Sequence, residues 1–343
     1  MPQQFIAVDN VCAWPNLTLL RDGALVATIF NQPCHGLWEG DVECWASEDG
    51  GALWQYRGTP APHEPGTNRM NVAAGLAKDG DLVVLASGWG GRPPKGEKAP
   101  HLTEYLLGVR PWICRSRDGG RTWAIDKTSF PSPAGANVSP FIPFGDVLEG
   151  ADGTLGASAY TAQVGPDGKF SKQNSSFFLR SRDDGRTWGE VALLGEGDYN
   201  ETAPFHLGGG RWLAAARTAK DGHLDLFRSE DNGATWRREQ TLSLPNQHPA
   251  HLARLADGRL LLTYGLRCPG QHGVGARLSK DDGLTWGAPA TVVSYPAADG
   301  GYPASVQRPD GKIVTAFYAA SQPQHQRYHM GVALWDVTEF FNK

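Results

Sequence analysis

Arginine, carboxylate, histidine and tyrosine residues gather at one recurring place in this chain, the ends of short apolar runs. Ahead of one kind of run stand Trp14-Pro15-Asn16, Asn68-Arg69, Tyr199-Asn200-Glu201, Gln247-His248 and Asp299-Gly300-Gly301-Tyr302. Behind the next run stand His35, Trp89 to Arg92, Tyr160, Arg217, Arg267 and Tyr318. Such side chains are poor filler for the end of a strand. A guanidinium fork binds a carboxylate through two parallel hydrogen bonds. His, Glu and Tyr are the residues that move protons in a positioned site. The combination suits an anionic sugar.

The elements that must position these groups are visible in a second pattern. The phrase Ser-x-Asp-x-Gly-x-Thr-Trp occurs at Ser116–Trp123, Ser181–Trp188, Ser229–Trp236 and Ser279–Trp286, and at Ser47–Trp54 with Leu53 in place of Thr. Five copies indicate a repeated supersecondary unit. Within each, Asp can accept backbone N–H groups a few residues on. Gly supplies a positive φ, and Trp is a large apolar plug between neighbouring units. The phrases read as stitching and not as catalytic groups.

A second series of turns lies inside the first: Asp22-Gly23, Asp79-Gly80, Asp152-Gly153, Gly208-Gly209-Gly210, Asp257-Gly258 and Asp310-Gly311. Their flanks, such as Leu260–Tyr264 and Ile313–Phe317, are rich in strand formers. Six turns against five phrases predict an all-β fold, a six-bladed β-propeller of four-stranded antiparallel blades in one domain over residues 1–343. The strand near Phe5–Val8 is expected to complete the last blade, because closure removes exposed sheet edges. A short helical turn is expected within Asp336–Phe341. The repeated phrases then mark one face, and the Arg, Tyr, Glu and His residues converge on the axis at the other. The polar stretches at 90–101 and 322–329 read as rim loops.

Composition sets the bounds. The formal net charge is −4 with no basic stripe, which argues against a nucleic-acid partner. No apolar run approaches the length of a membrane span. Cys12, Cys34, Cys44, Cys114 and Cys268 are odd in number, lack metal-ligand spacing and read as thiols in a reduced compartment. No metal and no cofactor are expected. Met1-Pro2-Gln3-Gln4-Phe5 is not a basic and apolar leader, which fits the cytoplasm; a trimmed leader would leave the same sequence in a periplasmic or secreted protein. Oligomeric state leaves no mark on the sequence.

With five boxes, a Glu opening the first strand of a unit (Asn200-Glu201-Thr202) and an Arg ending the second (Ala216-Arg217), nearly the whole chain resembles the sialidase (neuraminidase) superfamily of Asp-box propellers. The resemblance implies a Tyr nucleophile, a neighbouring Glu as its base, three Arg residues clamping the substrate carboxylate and an Asp as general acid. It places the nucleophile at Tyr302, in Gly301-Tyr302-Pro303-Ala304-Ser305, and the base at Glu201. It makes Arg217 and Arg267 the second and third clamp residues. The chain departs from the family at the first clamp Arg, where it reads Ala13-Trp14-Pro15-Asn16-Leu17; Arg69 is the candidate substitute. The general acid falls among His35, Glu39 and Asp41. Asn68, Trp14, Trp38, Glu39, His248, Tyr160 and Tyr318 complete the expected sugar-binding set.

The expected function is an exo-acting glycoside hydrolase on an acidic or uncommon terminal sugar, with a glycan as partner. Two alternatives stay open. One is a propeller polysaccharide lyase or a histidine-dependent, rhamnosidase-type glycosidase, with His35 or His248 moving the proton. The other is a non-catalytic glycan-binding propeller.

Overall fold

The short turns and alternating runs fold as strands throughout. The computed structural model describes residues 2–36, 38–90, 107–166, 170–296, 299–321 and 325–341. Strand β1 (Gln3–Asp9) comes first, and β2 (Ala13–Leu19), β3 (Leu25–Phe30), β4 (Val42–Ser47) and β5 (Gln55–Ala61) form the first antiparallel sheet. Then come β6 (Asn71–Leu76), β7 (Leu82–Gly90), β8 (Leu107–Ser116) and β9 (Ala124–Asp126), followed by β10 (Ile142–Glu149), β11 (Leu155–Val164), β12 (Phe170–Ser181) and β13 (Gly189–Gly195). Two further four-stranded sheets comprise β14 (Tyr199–Gly208), β15 (Arg211–Thr218), β16 (Leu224–Ser229) and β17 (Arg237–Thr241), then β18 (Gln247–Arg254), β19 (Leu260–Cys268), β20 (Gln271–Ser279) and β21 (Ala290–Tyr295). Strands β22 (Gly300–Gln307), β23 (Ile313–Ala319) and β24 (His329–Trp335) make the last sheet, and β1 pairs antiparallel along β24 as its outer edge. A short helix, α1 (Thr338–Phe341), ends the described chain, and no helix is long and apolar enough to cross a membrane.

The expectation of six separate four-stranded blades is corrected by the sheet pairing. Among the described residues the propeller has four blades of four antiparallel strands, and the remaining eight strands form one sheet, ordered β13-β12-β11-β10-β6-β7-β8-β9. The join is a short parallel ladder between innermost strands, Gly145 opposite Ala73 and Asp146 opposite Ala74. Its cause is side-chain size. Strand β6 reads Ala73-Ala74-Gly75, and a Cβ on Gly75 would stand 2.0 Å from the Val147 carbonyl oxygen. With nothing between them, the two backbones approach to hydrogen-bonding distance. Turn counting cannot see this, because it reads chain segments and not their separation.

The repeated phrases behave as local clamps. In the phrase beginning at Ser279, Ser279 Oγ donates to Asp281 Oδ1 (2.8 Å) and accepts from Gly283 N (2.9 Å), while Thr285 N and Oγ1 donate to the two Asp281 oxygens at 2.8 and 2.6 Å. Leu53 keeps the backbone bond to Asp49 (3.0 Å) but has no hydroxyl for the second, and it is exposed. The phrase Trp residues pack across sheets: Trp236 meets Phe178 of β12 edge-on at 5.2 Å. Between β2–β3 and the last sheet, Leu17, Ile29, Val314 and Val332 form a closed apolar layer. Each such side chain contributes about 1.5–3 kcal/mol by leaving water.

Innermost strands carry irregularities at one end, and these aim side chains at the axis. Register shifts fall between Ala13 and Asn16 in β2, Tyr199 and Thr202 in β14, Gln247 and Ala250 in β18, and Gly301 and Ala304 in β22. Ala13, Trp14 and Tyr302 adopt positive φ values of 58°, 46° and 51°. A non-Gly residue held there costs on the order of 1–3 kcal/mol and is retained where surrounding structure enforces it. A bulge re-aims a side chain that regular alternation would send between the sheets.

The seam is testable. Gly75→Ala is expected to lower unfolding stability by about 1–3 kcal/mol, the usual penalty for overpacking a closed contact. The check is a shift of the urea midpoint at unchanged slope.

Candidate active site

Three strands from two different sheets bring the central group together. Glu201 opens β14, Arg217 lies near the end of β15, and Tyr302 stands at the bulge of β22. The Tyr302 hydroxyl donates to Glu201 Oε1 at 2.5 Å, and Arg217 Nη1 donates to Glu201 Oε2 at 2.6 Å and to the Tyr302 hydroxyl at 3.3 Å. Glu201 is buried, so its charge depends on these partners. Burial, and then the Glu201 charge, hold the Tyr302 phenol well above its ordinary pKa, against the pull of Arg217 and Arg267. The hydroxyl therefore keeps its proton at rest, with a carboxylate poised to take it.

These groups open into a cavity of about 320 Å³ lined also by Trp14, His35, Met70, Val72, Trp89, Phe144, Tyr160, Phe170 and Asn200. Trp14, Trp89, Phe144, Tyr160, Phe170 and Tyr302 make six of its lining residues aromatic. Apolar ring faces of this kind pack against the C–H faces of a sugar, while a few convergent polar groups set its orientation.

A second network lies behind the cavity around Asp299, the residue that leads into β22. Its Oδ1 accepts from Arg267 Nη2 (2.6 Å), the Tyr318 hydroxyl (2.8 Å) and Gly300 N (3.0 Å); its Oδ2 pairs with His35 Nδ1 (3.1 Å) and the Tyr328 hydroxyl (3.0 Å). Burial alone would raise this carboxyl, but the bond from His35, the Arg267 charge and the bond from Tyr318 hold it below the usual carboxylate range. The Arg267 guanidinium lies over the Tyr302 ring, 5.7 Å from its centroid. His248, buried beside Arg217 and Arg267, is pushed down to about 2 by burial and then by those two charges, so it is a neutral imidazole.

The residues expected from sequence thus divide into three groups. Tyr302, Glu201, Arg217, His35, Trp14 and Tyr160 line one cavity. Arg267 and Tyr318 form its second layer, held by Asp299, and His248 is buried beside them. The others lie elsewhere. Arg69 is not a substitute clamp: it is fully buried, its guanidinium 3.7 Å from the Trp112 ring centroid and its Nη1 on the Arg110 carbonyl (2.7 Å). Asn68 is also buried and works as a brace, donating to Gly36 O (3.0 Å) and accepting from Trp89 N (2.9 Å). Asp41 is taken by His63, at 2.7 Å through the backbone N–H and 2.6 Å through Nδ1; Glu39 accepts from Gly66 N (2.9 Å). Trp38 is exposed. Residues 91–101, including Arg92, lie outside the described residues. So does 322–324 of the second rim segment.

Three contributors carry little signal in the sequence. Asp299 is marked only as an acid three residues before Tyr302. Tyr328 falls in a polar stretch that reads as a rim loop. Phe170 comes from a third strand and carried no signal.

The geometry has counterparts elsewhere. A model of the BNR repeat-like domain matches residues 23–315, most of the chain. The chain belongs to the BNR repeat-like domain family. No curated protein matches its sequence. Among solved structures, this BNR repeat-like chain resembles a Dyadobacter fermentans protein of unknown function (22% identity, TM-score 0.78, 97% of each chain covered). It also resembles the K499G mutant of the Streptococcus pneumoniae NanB sialidase, at 14% identity and TM-score 0.75, covering 99% of this chain and 71% of that one. The Trypanosoma rangeli sialidase gives 17% identity and TM-score 0.70, with 96% of this chain against 55% of that one. These likenesses establish a sialidase-like propeller fold for the family member described here.

The buried phenols make an alkaline prediction. Burial is the leading cause that raises Tyr160, Tyr302, Tyr318 and Tyr328 in the folded state. An unfolded chain ionises its tyrosines near pH 10. Above that pH the unfolded state holds fewer protons than the folded one, so stability must fall as pH rises. Urea midpoints are expected to drop between about pH 9 and about pH 11. The tyrosinate absorbance of these four residues should develop only as the protein unfolds.

Proposed function

We propose that the protein is a glycoside hydrolase that removes a terminal sugar through a covalent intermediate on Tyr302. The carrying observation is the Tyr302–Glu201 contact of 2.5 Å, with Arg217 on the other carboxylate oxygen, inside an aromatic cavity. Attack by the phenol oxygen on the anomeric carbon passes its proton to Glu201. Arg217 stabilises the resulting redistribution of charge, and Arg267 over the ring favours a phenolate as it develops. A phenol with a raised pKa needs such a base to act near neutral pH. The strained φ of Tyr302 keeps the hydroxyl on the cavity side of the strand. The two solved sialidases of the same fold lend support.

Arg217 is the one guanidinium among the described residues lining the cavity, and it is bonded to Glu201. A three-arginine clamp is therefore absent from the described wall, and an acidic group on the sugar would meet a single Arg there. Elimination from a uronate is a second reading, favoured by the His35 imidazole on the same wall. It would be recognised by the ultraviolet absorbance of an unsaturated uronate product.

The test is a panel of 4-methylumbelliferyl glycosides that includes sialic, uronic, hexose and deoxyhexose sugars. Tyr302→Phe and Glu201→Gln are each expected to lower kcat/KM on the cleaved member by about 100- to 10,000-fold, with cooperative melting retained in both and a lowered melting temperature in Glu201→Gln, where Arg217 loses its charged partner. A fluorinated glycoside should label the Tyr302 peptide, as read by mass spectrometry. Near wild-type turnover in both variants would remove the reading; sugar binding without cleavage by wild type would favour a glycan-binding propeller.

A further inference from the structure

The hydrolase reading leaves the departing oxygen without a proton donor, because Glu201 is occupied with the nucleophile. Asp41 and Glu39, the carboxylates expected near it from sequence, are turned toward His63 and Gly66. Among the described residues that line the cavity, His35 is the only histidine, and Glu201 is the only carboxylate. Imidazole is the side chain best suited to exchange protons near neutral pH.

Resting on that reading, we propose that His35 is the acid and base at the glycosidic oxygen and that Asp299 is its positioning residue. His35 side-chain exposure is 34%, so the ring is reachable from the cavity while remaining anchored. Three contacts fix it. Its Nδ1 faces Asp299 Oδ2 at 3.1 Å, its ring edge packs on Trp14 with centroids 4.9 Å apart, and Asn68 braces the neighbouring Gly36 carbonyl at 3.0 Å. A carboxylate accepts only, so the hydrogen in that pair belongs to Nδ1. Nε2 is left as the atom that exchanges a proton with a bound substrate. Asp299 cannot swing away from this task, since Arg267, Tyr318, Tyr328 and Gly300 N hold both its oxygens. It also lies three residues before Tyr302 on the same strand entry, so the orienting group and the nucleophile share one backbone segment.

The steps balance. In the first, the Tyr302 oxygen bonds to the anomeric carbon and its proton passes to Glu201. His35 enters this step as the imidazolium, with hydrogens on both ring nitrogens, and the bond to the leaving oxygen breaks as that oxygen takes the Nε2 proton and leaves the neutral Nδ1–H ring. In the second, His35 Nε2 takes a proton from water as the water oxygen bonds to the anomeric carbon, and Tyr302 departs with the proton returned by Glu201.

Leaving-group dependence tests the assignment, because 2,4-dinitrophenolate departs without protonation and 4-methylumbelliferone gains from it. His35→Ala is expected to lower kcat/KM on the 4-methylumbelliferyl glycoside on the order of 100-fold or more, and by less than about tenfold on its dinitrophenyl counterpart. Asp299→Asn should show the same split, with a loss of roughly tenfold to a hundredfold on the poorer leaving group. Tyr328→Phe removes another donor to Asp299 and should leave the ratio between the two substrates unchanged. Imidazole ¹⁵N shifts, which need no substrate, should show the neutral form of His35 as the Nδ1–H tautomer, moving toward Nε2–H in Asp299→Asn. Melting temperatures identify any variant that fails to fold. Equal losses on both leaving groups, or a His35 tautomer indifferent to Asp299, would overturn the proposal while Tyr302-dependent cleavage kept the hydrolase reading. Cleavage of no member of the glycoside panel would overturn both.

Discussion

A carboxylate taken out of water must be paired, and Glu201 is paired by two groups that come from different strands. Arg217 and Tyr302 reach it at 2.6 and 2.5 Å from the neighbouring strand and from a sheet beyond it. The propeller is what makes this possible. Strands β14 and β22 start at the same end of the axis, and the ring brings together residues about a hundred positions apart. Each side chain alone would be unfavourable at its position: a buried charge, a half-buried guanidinium and a phenol at positive φ. Together they satisfy one another.

The same end of the axis shows how a sheet gives way to a site. Regular alternation would direct every second residue into the layers between sheets. Bulges in β2, β14, β18 and β22 break the alternation near the mouth and present Trp14, Glu201, His248 and Tyr302 inward. The cost in backbone strain is local and is carried by extensive apolar layers such as that of Leu17, Ile29 and Val314. Away from the mouth the strands close with small residues instead. At β6 and β10 this closure went far enough to form a parallel ladder.

Charges near the cavity are arranged in two closed sets. Arg217 answers Glu201, and Arg267 answers Asp299, with His248 neutral between them. The pairing explains why the arginines expected to form one clamp do not act as a cluster. Arg267 is held by Asp299 beside the Tyr302 ring, and Arg69 is sealed under Trp112. An Arg in the sequence is a charge with a long arm, and where the arm ends depends on which acceptor it meets first.

Sequence by itself determined what depends on local chemistry. The Ser, Asp, Gly and Thr residues of the repeated phrase form their clamps with partners within a few positions, so the turns, the strands and the all-β class were legible. Glu201, Arg217 and Tyr302 were legible as a set through their places at strand ends. Only the tertiary structure decided matters of separation. It joined two sets of strands into one eight-stranded sheet, because Gly75 and its alanine neighbours let backbones meet. It withdrew Arg69, Asp41 and Glu39 from the site, because closer partners lay on strand β8 for Arg69 and on the segment around His63 and Gly66 for the two carboxylates. And it gave Asp299 its role, because the four side chains that meet there come from positions 35, 267, 318 and 328, whose nearness only ring closure creates.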